Sequence, residues 1–410
     1  MHISIVGAGI GGCTLALCLH DAGFRNIHLY EAASEVRELG VGINVLPHAA
    51  RELCELGLGP RIDAIAVRTE TLSYHNRFGQ LLWEEPRGLA AGYGWPQWSV
   101  HRGHLLGVLY AAVQERLGSA CVHLGQRVFA DALDDLPGDC VVGADGVHSV
   151  VRARLVPTEG PPLWNGITLW RGVSMAKPFL GGRRMIMAGR LDRRVILYPL
   201  RDLGPDCQLI NWVVAVRTDD GRPMPRQDWS AETDPAEAAA ETAGIDLDFL
   251  DIRALIASGE SALKYPMADR EPLDRWRNGR MTLLGDAAHP MQPNGSNGAA
   301  QAIIDARVLT RELVRHARAA DPLAALDAYE SERLTATRAV VLANRRAGPE
   351  RILDLVADRA PERFADLGDV ISNTELEAIV ADYRRTAGFE PAALNARPTL
   401  AAFLDASADR

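Results

Sequence analysis

Residues 2–32 read "HISIVGAGIGGCTLALCLHDAGFRNIHLYEA". Ile3, Ile5 and Val6 form the short apolar run that a buried parallel strand uses. Gly7-x-Gly9-x-x-Gly12 follows at once, with Gly11 a further glycine inside it. In this motif the first glycine permits a tight turn, the second lets a pyrophosphate reach the backbone, and the third lets the helix pack on the strand. Leu15 and Leu19 share a helical face, and Gly23 marks the helix stop. "NIHLY" predicts a second strand, closed by Glu31, 19 residues beyond Gly12. A helix N-terminus offers free N–H groups and a positive dipole end to phosphate. An acid at the end of the second strand accepts hydrogen bonds from a ribose hydroxyl pair. The set predicts a dinucleotide-binding βαβ unit, and Glu31 favours an adenosine ribose without a 2′-phosphate. FAD and NAD fit it equally.

The 410 residues have room for about two or three domains. Hydrophobic residues make up 47% and charged residues 24%, as in globular proteins. A net charge of −9 excludes the basic surface that nonspecific nucleic-acid binding needs. Cys13, Cys18, Cys54, Cys121, Cys140 and Cys207 are scattered, without a C-x-x-C pair. Neither a zinc ribbon nor a disulfide framework is expected, and reduced thiols in a cytoplasm fit the pattern. The apolar N-terminus lacks a basic n-region and is broken by glycines, so neither a signal nor a spanning helix is expected there.

Three further segments narrow the cofactor. "CVVGADGVHSVVR" (140–152) sets Asp145-Gly146 after a short strand, with Ser149 and Arg152 on an incipient helix. "SVHRGHLLGVL" (99–109) puts Arg102 just before a helix. "LLGDAAHPMQPNGSNGAAQAIIDA" (283–306) crowds Gly285, Asp286, Pro290, Pro293, Gly295 and Gly298 between a strand and a helix. With the N-terminal fingerprint, these segments resemble the FAD-dependent aromatic-ring hydroxylases of the p-hydroxybenzoate and salicylate hydroxylase type, over roughly residues 1–345. "RELGVGINVLPHAARELCELGLG", "WPQWSVHRGHL", "ITLWRGV", "NWVV", "KYPMADREPLDRW" and "LANR" are similar to phenazine-carboxylate monooxygenases.

The resemblance implies roles for particular residues. Gly7, Gly9, Gly11 and Gly12 would meet the FAD pyrophosphate, and Glu31 the adenosine ribose. Arg102 would reach the phosphate or ribityl side of the flavin. Asp145-Gly146 would help to hold both FAD and the nicotinamide cofactor, and Asp286 would bond ribityl or ribose hydroxyls. Val128, Gly285, Asn297 and Ala299 complete the expected cofactor contacts. Pro290 and Pro293 would stiffen the loop, while Gly295 and Gly298 would leave its backbone bare for the isoalloxazine edge. A helix beginning near Asn297 would aim N–H groups at the flavin N1/C2=O edge. Two features depart from the family pattern. Ser296-Asn297 stands where many relatives have Gln, and "HLGQRVFADALDDLPGD" (123–139) is too short for the usual strand meander.

The expected fold is α/β: a Rossmann-like FAD-binding domain with an inserted antiparallel-sheet substrate domain and C-terminal helices. The flavin domain would take residues 1–70, 98–165 and 275–345, and the substrate domain 71–97 and 166–274. Residues 346–410 would form a polar helical region with a frayed end at Asp405–Arg410. "GITLWRGV", "RMIMA", "RVILYPL" and "QLINWVVAV" read as strands, 217–235 as a polar loop, and "PAEAAAETAG" as a helix. Trp170, Arg171, Met187, Tyr198 and Trp212 are the candidate substrate contacts, although strand alternation leaves open which face meets the flavin. His289 reads as a catalytic base or, more simply, as a histidine satisfying backbone. His101 and His104 have no third ligand and make no metal site. Asp305 and Arg307 read as solvated helix charges, and "WPQW" (95–98) as a wedge between domains.

The resemblance implies a cycle in which NADH or NADPH reduces FAD and O₂ forms a flavin C4a-hydroperoxide. That species hydroxylates a small aromatic ring of phenazine, salicylate or fused-indole type, with loss of CO₂ if a carboxylate sits at the attacked carbon. No nucleic-acid or membrane partner is expected, and the chain would be a monomer or homodimer. The rivals are a flavin halogenase, whose W-x-W-x-I-P motif is missing, a non-oxygenating flavin oxidoreductase, and a nonenzymatic nucleotide-binding protein. Asp145-Gly146 with Gly285-Asp286 speaks against the last.

Overall fold

The computed structural model describes residues 1–36, 40–219, 224, 231–317 and 321–408. Its first sheet has five strands in the order Met281–Leu283, Cys140–Gly143, His2–Val6, Asn26–Tyr30, Val122–His123. All four pairings are parallel. Ile3, Ile5, Leu29, Val141 and Leu283 are fully buried, as expected for strands covered on both faces. The helices Ile10–Asp21, Arg102–Leu117 and Gly298–Ala317 supply much of that cover. Residues 124–139 form no strand, consistent with the compressed stretch in the sequence.

The second sheet has eight strands, in the order Glu232–Thr233, Ala262–Asp269, Leu163–Ala176, Cys207–Arg217, Arg193–Gly204, Arg184–Arg190, Thr71–His75, Leu81–Pro86. Only the pair between Arg184–Arg190 and Thr71–His75 is parallel. Its four long strands contain the runs read from sequence. Ala262–Asp269 was not among them, and the expected helix over 235–244 is shorter, Pro235–Ala240. Most of the polar loop expected over 217–235 lies outside the described residues.

Alternation gives the sheet two faces. Trp170, Ile210, Trp212 and Val214 point outward into a core with the helices Pro235–Ala240 and Ile252–Ala257. Arg171, Tyr198 and Asn211 point inward. There Asn211 Oδ1 accepts from Gly42 N at 2.7 Å, and Arg171 donates to Gly42 O at 2.6 Å. Gly42 begins the strand Gly42–Val45 of a small three-stranded antiparallel sheet, completed by Gln97–His101 and Ala66–Thr69. That small sheet therefore joins the two large ones.

The C-terminal region is helical but not polar throughout. Ile352, Leu353, Val356, Leu376, Ile379 and Val380 are buried against Leu72, Tyr74, Leu82, Met185 and Met187 on the inner face of the sheet. Asp405 to Ala408 continue the helix Leu400–Ala408 rather than fraying, and Asp409 and Arg410 lie outside the described residues. All six cysteines are free, and burial pushes the Cys13 and Cys140 thiols up to about 12. Among the described residues no helix is long and apolar enough to cross a membrane.

Because Leu376 is fully buried, Leu376→Ala is expected to cost about 2–5 kcal/mol of stability. Urea unfolding checks this. A loss below about 1 kcal/mol would mean that the C-terminal helices dock only loosely.

Candidate active site

The parallel register brings four strand ends to one edge. Gly7 N donates to Tyr30 O at 2.8 Å, Ala144 N to Val6 O at 2.8 Å, and Leu284 N to Gly143 O at 2.8 Å. Gly7, Glu31, Asp145 and Asp286 therefore emerge side by side at the carboxyl ends of the strands, where open α/β sheets bind ligands. Glu31 is anchored there, its two oxygens accepting from Ala8 N and Ala33 N, each at 2.9 Å. Gln126 N donates to Glu31 O at 2.9 Å, which brings the segment leading to Val128 beside that end.

The glycines divide by what surrounds them. A Cβ on Gly7 would lie 2.4 Å from Ala144 O, and one on Gly12 only 2.0 Å from Gly7 O. A Cβ on Gly9 would meet nothing within 4 Å, so Gly9 faces open space at the start of the first helix. That bare backbone at a helix N-terminus fits a pyrophosphate. Gly11 does not belong to the cleft. Its Cβ would point inward, 2.6 Å from Leu284 Cδ2, and it serves packing.

Asp286 and Arg102 stand opposite each other at the mouth of the cleft, both with exposed side chains. Surrounding protein raises the Asp286 pKa by desolvation, while His289 and Arg102 act to lower it. Arg102 N donates to Val41 O at 2.9 Å, which ties the guanidinium to the loop before Gly42. Gly146 adopts φ +76° with open space at its Cβ. Asp145 has a local task instead: its oxygens accept from Ser149 Oγ at 2.5 Å and Val150 N at 2.7 Å, capping the helix Val150–Leu155.

The loop 285–298 rests on a buried charge. Asp305, expected to be solvated, is fully buried. It accepts from Gly285 N at 3.0 Å, pairs with His289 Nε2 at 2.6 Å, and accepts from Arg333 Nε at 2.6 Å. His289 thus serves a carboxylate rather than backbone. Arg307 is buried too, with Nε 3.0 Å from Glu52 Oε2. A helix can bury a charge wherever an opposite charge meets it, and spacing along the chain does not reveal the partner. Pro290 is buried and Pro293 exposed. Gly298 and Ala299 are half-buried at the start of the helix Gly298–Ala317, whose first N–H groups have no partner within the helix.

Two expected loop contacts turn the other way. A Cβ on Gly295, at φ +70°, would lie 2.1 Å from Tyr383 Oη, so its bareness admits a tyrosine rather than a flavin edge. Asn297 is fully buried, and its Nδ2 donates to Tyr383 Oη at 3.0 Å. Sequence reasoning missed Tyr383. The signal for it was an aromatic on the apolar side of an otherwise charged helix.

A cavity opens beside this loop, with about 410 Å³ of space unfilled by atoms. Its walls are Leu46, Leu72, Met185, Met187, Val380 and Phe389, and Gly295 and Ser296 form one side. Tyr74 Oη, Gln97 Oε1 and Arg87 Nε line it, buried and without a hydrogen-bond partner. Glu85 pairs with Arg87 and lies 3.7 Å from Arg384 NH1. Of the expected substrate contacts, Met187 lines this cavity. Arg171 and Tyr198 lie on the same inner face, where Arg171 NH1 donates to Tyr265 Oη at 3.1 Å. Trp170 and Trp212 do not reach it, because their strand positions put them on the outward face, where Trp212 Nε1 donates to Ser174 Oγ at 3.0 Å.

A strand-edge cleft for a dinucleotide, next to a partly apolar cavity, defines a class of cofactor-binding oxidoreductases. A family model described as an FAD binding domain matches residues 128–344. The phenazine 1,6-dicarboxylic acid hydroxylase of Lysobacter antibioticus is 42% identical over 395 residues, covering 90% of this chain and 95% of that one. A 3-amino-4-hydroxybenzoate 2-monooxygenase of Streptomyces platensis is 32% identical, covering 97% and 98%. A salicylate hydroxylase solved as a substrate complex shares the fold, with a TM-score of 0.72 at 22% identity over 98% of this chain and 99% of that one. The chain belongs to the FAD-dependent aromatic hydroxylases. It is a flavoprotein monooxygenase that uses FAD and a reduced nicotinamide co-substrate.

Gly9→Ala is expected to leave the melting temperature nearly unchanged yet weaken FAD binding at least about tenfold, roughly 1.4 kcal/mol. Gly12→Ala should instead destabilise the fold by about 1–3 kcal/mol, since its Cβ would meet backbone. Melting curves of apoprotein alongside FAD titrations separate the two. Equal effects on both measurements would contradict this division.

Burial alone would raise the Asp305 pKa, but His289 and Arg333 outweigh it and hold the carboxyl at about 2. A depressed carboxyl pKa contributes stability above the unfolded value of about 3.9, and that stability fades as pH falls. Asp305→Asn is expected to cost about 3–5 kcal/mol near neutral pH, by leaving Arg333 short of its partner. The gap to the unaltered protein should narrow as pH falls from about 4 towards about 2. Unfolding curves that stay parallel across that range would remove Asp305 from this role.

Proposed function

We propose that the chain hydroxylates a flat, carboxylated, fused aromatic acid of the phenazine type, which binds in the cavity beside Gly295 and Ser296. The single observation that carries this is the cavity itself. It pairs apolar walls with three unpartnered buried polar atoms, on Tyr74, Gln97 and Arg87. Buried polar groups without partners are costly in isolation, and a ligand carrying a carboxylate and ring heteroatoms would satisfy them. About 410 Å³ is within the usual range for small-molecule sites. The similarity to a hydroxylase of phenazine 1,6-dicarboxylic acid supports the same class.

In this reading the pyrophosphate of FAD lies on the backbone at Gly7, Gly9 and Gly12, and Glu31 takes the adenosine ribose. Asp286 and Arg102 hold the ribityl side. The start of the helix Gly298–Ala317 turns its free N–H groups towards the flavin ring, where they favour developing negative charge. Bound FAD supplies two-electron reduction by NAD(P)H and activation of O₂. The balance is ArH + O₂ + NAD(P)H + H⁺ → ArOH + NAD(P)⁺ + H₂O. The protein orients the ring, with Arg87 meeting the carboxylate as a charge-assisted pair. The apolar walls keep water from the reacting carbon.

The test is O₂ uptake with NADH or NADPH against phenazine carboxylates, salicylate, 3-hydroxybenzoate and 3-amino-4-hydroxybenzoate, with mass spectrometry of products. Phenazine carboxylates are expected to gain one oxygen, and those attacked at the carboxylated carbon to lose CO₂ as well. Arg87→Ala should raise KM about tenfold or more with a smaller change in kcat. Turnover confined to single-ring acids would sink the assignment.

A further inference from the structure

Tyr383 occupies a slot between two glycines from different parts of the chain. A Cβ on Gly295 would lie 2.1 Å from its Oη, and one on Gly348 2.9 Å from its Cε2. Both glycines have positive φ, +70° and +50°. The hydroxyl accepts from Asn297 Nδ2 at 3.0 Å and donates to Asn344 Oδ1 at 2.7 Å, with Asn294 O a weaker alternative acceptor at 3.2 Å. Asn344 in turn donates from Nδ2 to Gln292 O at 2.9 Å and accepts at its own carbonyl from Asn294 Nδ2 at 2.8 Å. Glu350 accepts from Gly295 N at 3.3 Å and sits 3.1 Å from Arg194 Nε. Between these contacts Ser296 is held at φ +57°, a strained setting for a residue with a side chain.

The loop so gripped is the one that leads into the helix Gly298–Ala317 at the cofactor cleft. The helix that grips it, Asn373–Ala387, also walls the cavity with Val380, Tyr383 and Arg384. We propose that Tyr383 is a positioning residue: it sets where the flavin-facing loop 294–298 stands, and through it the helix Asn373–Ala387 couples occupation of the cavity to that loop. The ring fixes the distance between loop and helix, and the hydroxyl fixes the orientation of Asn297 and Asn344. A ligand that displaces Arg384 or Val380 moves the same helix, and so bears on the loop. The first half of the proposal rests on the loop geometry alone, and the coupling rests also on the cavity being the substrate site.

The test uses the FAD-loaded full chain with Tyr383→Phe, which keeps the ring and removes the hydroxyl, and Tyr383→Leu, which removes the ring. Without any ligand, Tyr383→Leu is expected to weaken FAD binding about tenfold and to change the visible absorption and fluorescence of the bound flavin. Tyr383→Phe should keep the FAD affinity within about threefold. With an aromatic acid and NAD(P)H, it should release at least about threefold more peroxide per NAD(P)H consumed, and show a smaller ligand-induced change in the flavin spectrum. Altered melting temperatures with unchanged flavin spectra, FAD affinity and peroxide yield in both variants would make Tyr383 merely structural and overturn the proposal. If Tyr383→Leu does not fold, the Phe variant decides by its peroxide yield and spectrum. If no aromatic acid perturbs the flavin of the unaltered protein, the cavity reading and the coupling fail together. The ligand-free comparison then still decides the positioning role.

Discussion

A carboxylate with no exposure to water is an expensive thing to build, and Asp305 is tolerable only because three donors converge on it. Those donors come from the turn after the strand Met281–Leu283, from the loop at His289, and from the helix Pro322–Arg345 through Arg333. Arg333 also reaches Gln301 Oε1 at 2.6 Å on the helix of Asp305 itself. No member can shift without leaving a buried charge short of a partner. The position of Asp286 in the cleft follows from this, as does the start of the helix Gly298–Ala317. The cofactor edge is therefore placed by electrostatics beneath it, and the residues that face the ligand need not also hold the loop.

The fold was legible because its decisive requirements are local. Gly7 and Gly12 must be bare for reasons that lie within a few residues or one neighbouring strand, and such needs leave a spaced pattern in the chain. The long antiparallel strands announce themselves by β-branched and aromatic runs. What local pattern cannot carry is the identity of the thing on the other side. Alternation separates Trp170 from Arg171 but does not say which of them turns towards the small sheet at Gly42. A glycine such as Gly295 reports that space is needed, not that Tyr383, 88 residues later (383 − 295), fills it. Asp305 and Arg307 carry the spacing of ordinary surface charges, and only the arrival of Arg333 and Glu52 makes them interior.

The C-terminal region shows the same limit at a larger scale. Its charges make the segment 354–388 look solvated, yet Leu376, Ile379 and Val380 recur at helical intervals on one side and close the inner face of the eight-stranded sheet. Tyr93 Oη donates to Phe389 O at 2.6 Å, so the region is also fastened to the segment before the strand Gln97–His101. The cavity is thus walled by pieces from both ends of the chain. No short motif could have described it.

The order of the five parallel strands has a consequence for how the protein comes into being. The strand His2–Val6 lies at the centre of the sheet, flanked by Asn26–Tyr30 and Cys140–Gly143, and the edge strand Met281–Leu283 joins only through the latter. On a ribosome adding about 5–20 residues each second, roughly a quarter of a minute to a minute separates synthesis of the central strand from that of the edge strand. For that interval the apolar helix Ile10–Asp21 lacks the helix Gly298–Ala317 that later packs on it. The nascent chain must pass this time with Leu15, Leu17 and Leu19 incompletely covered. It is in this window, rather than in the finished enzyme, that a chaperone or early cofactor capture would matter most.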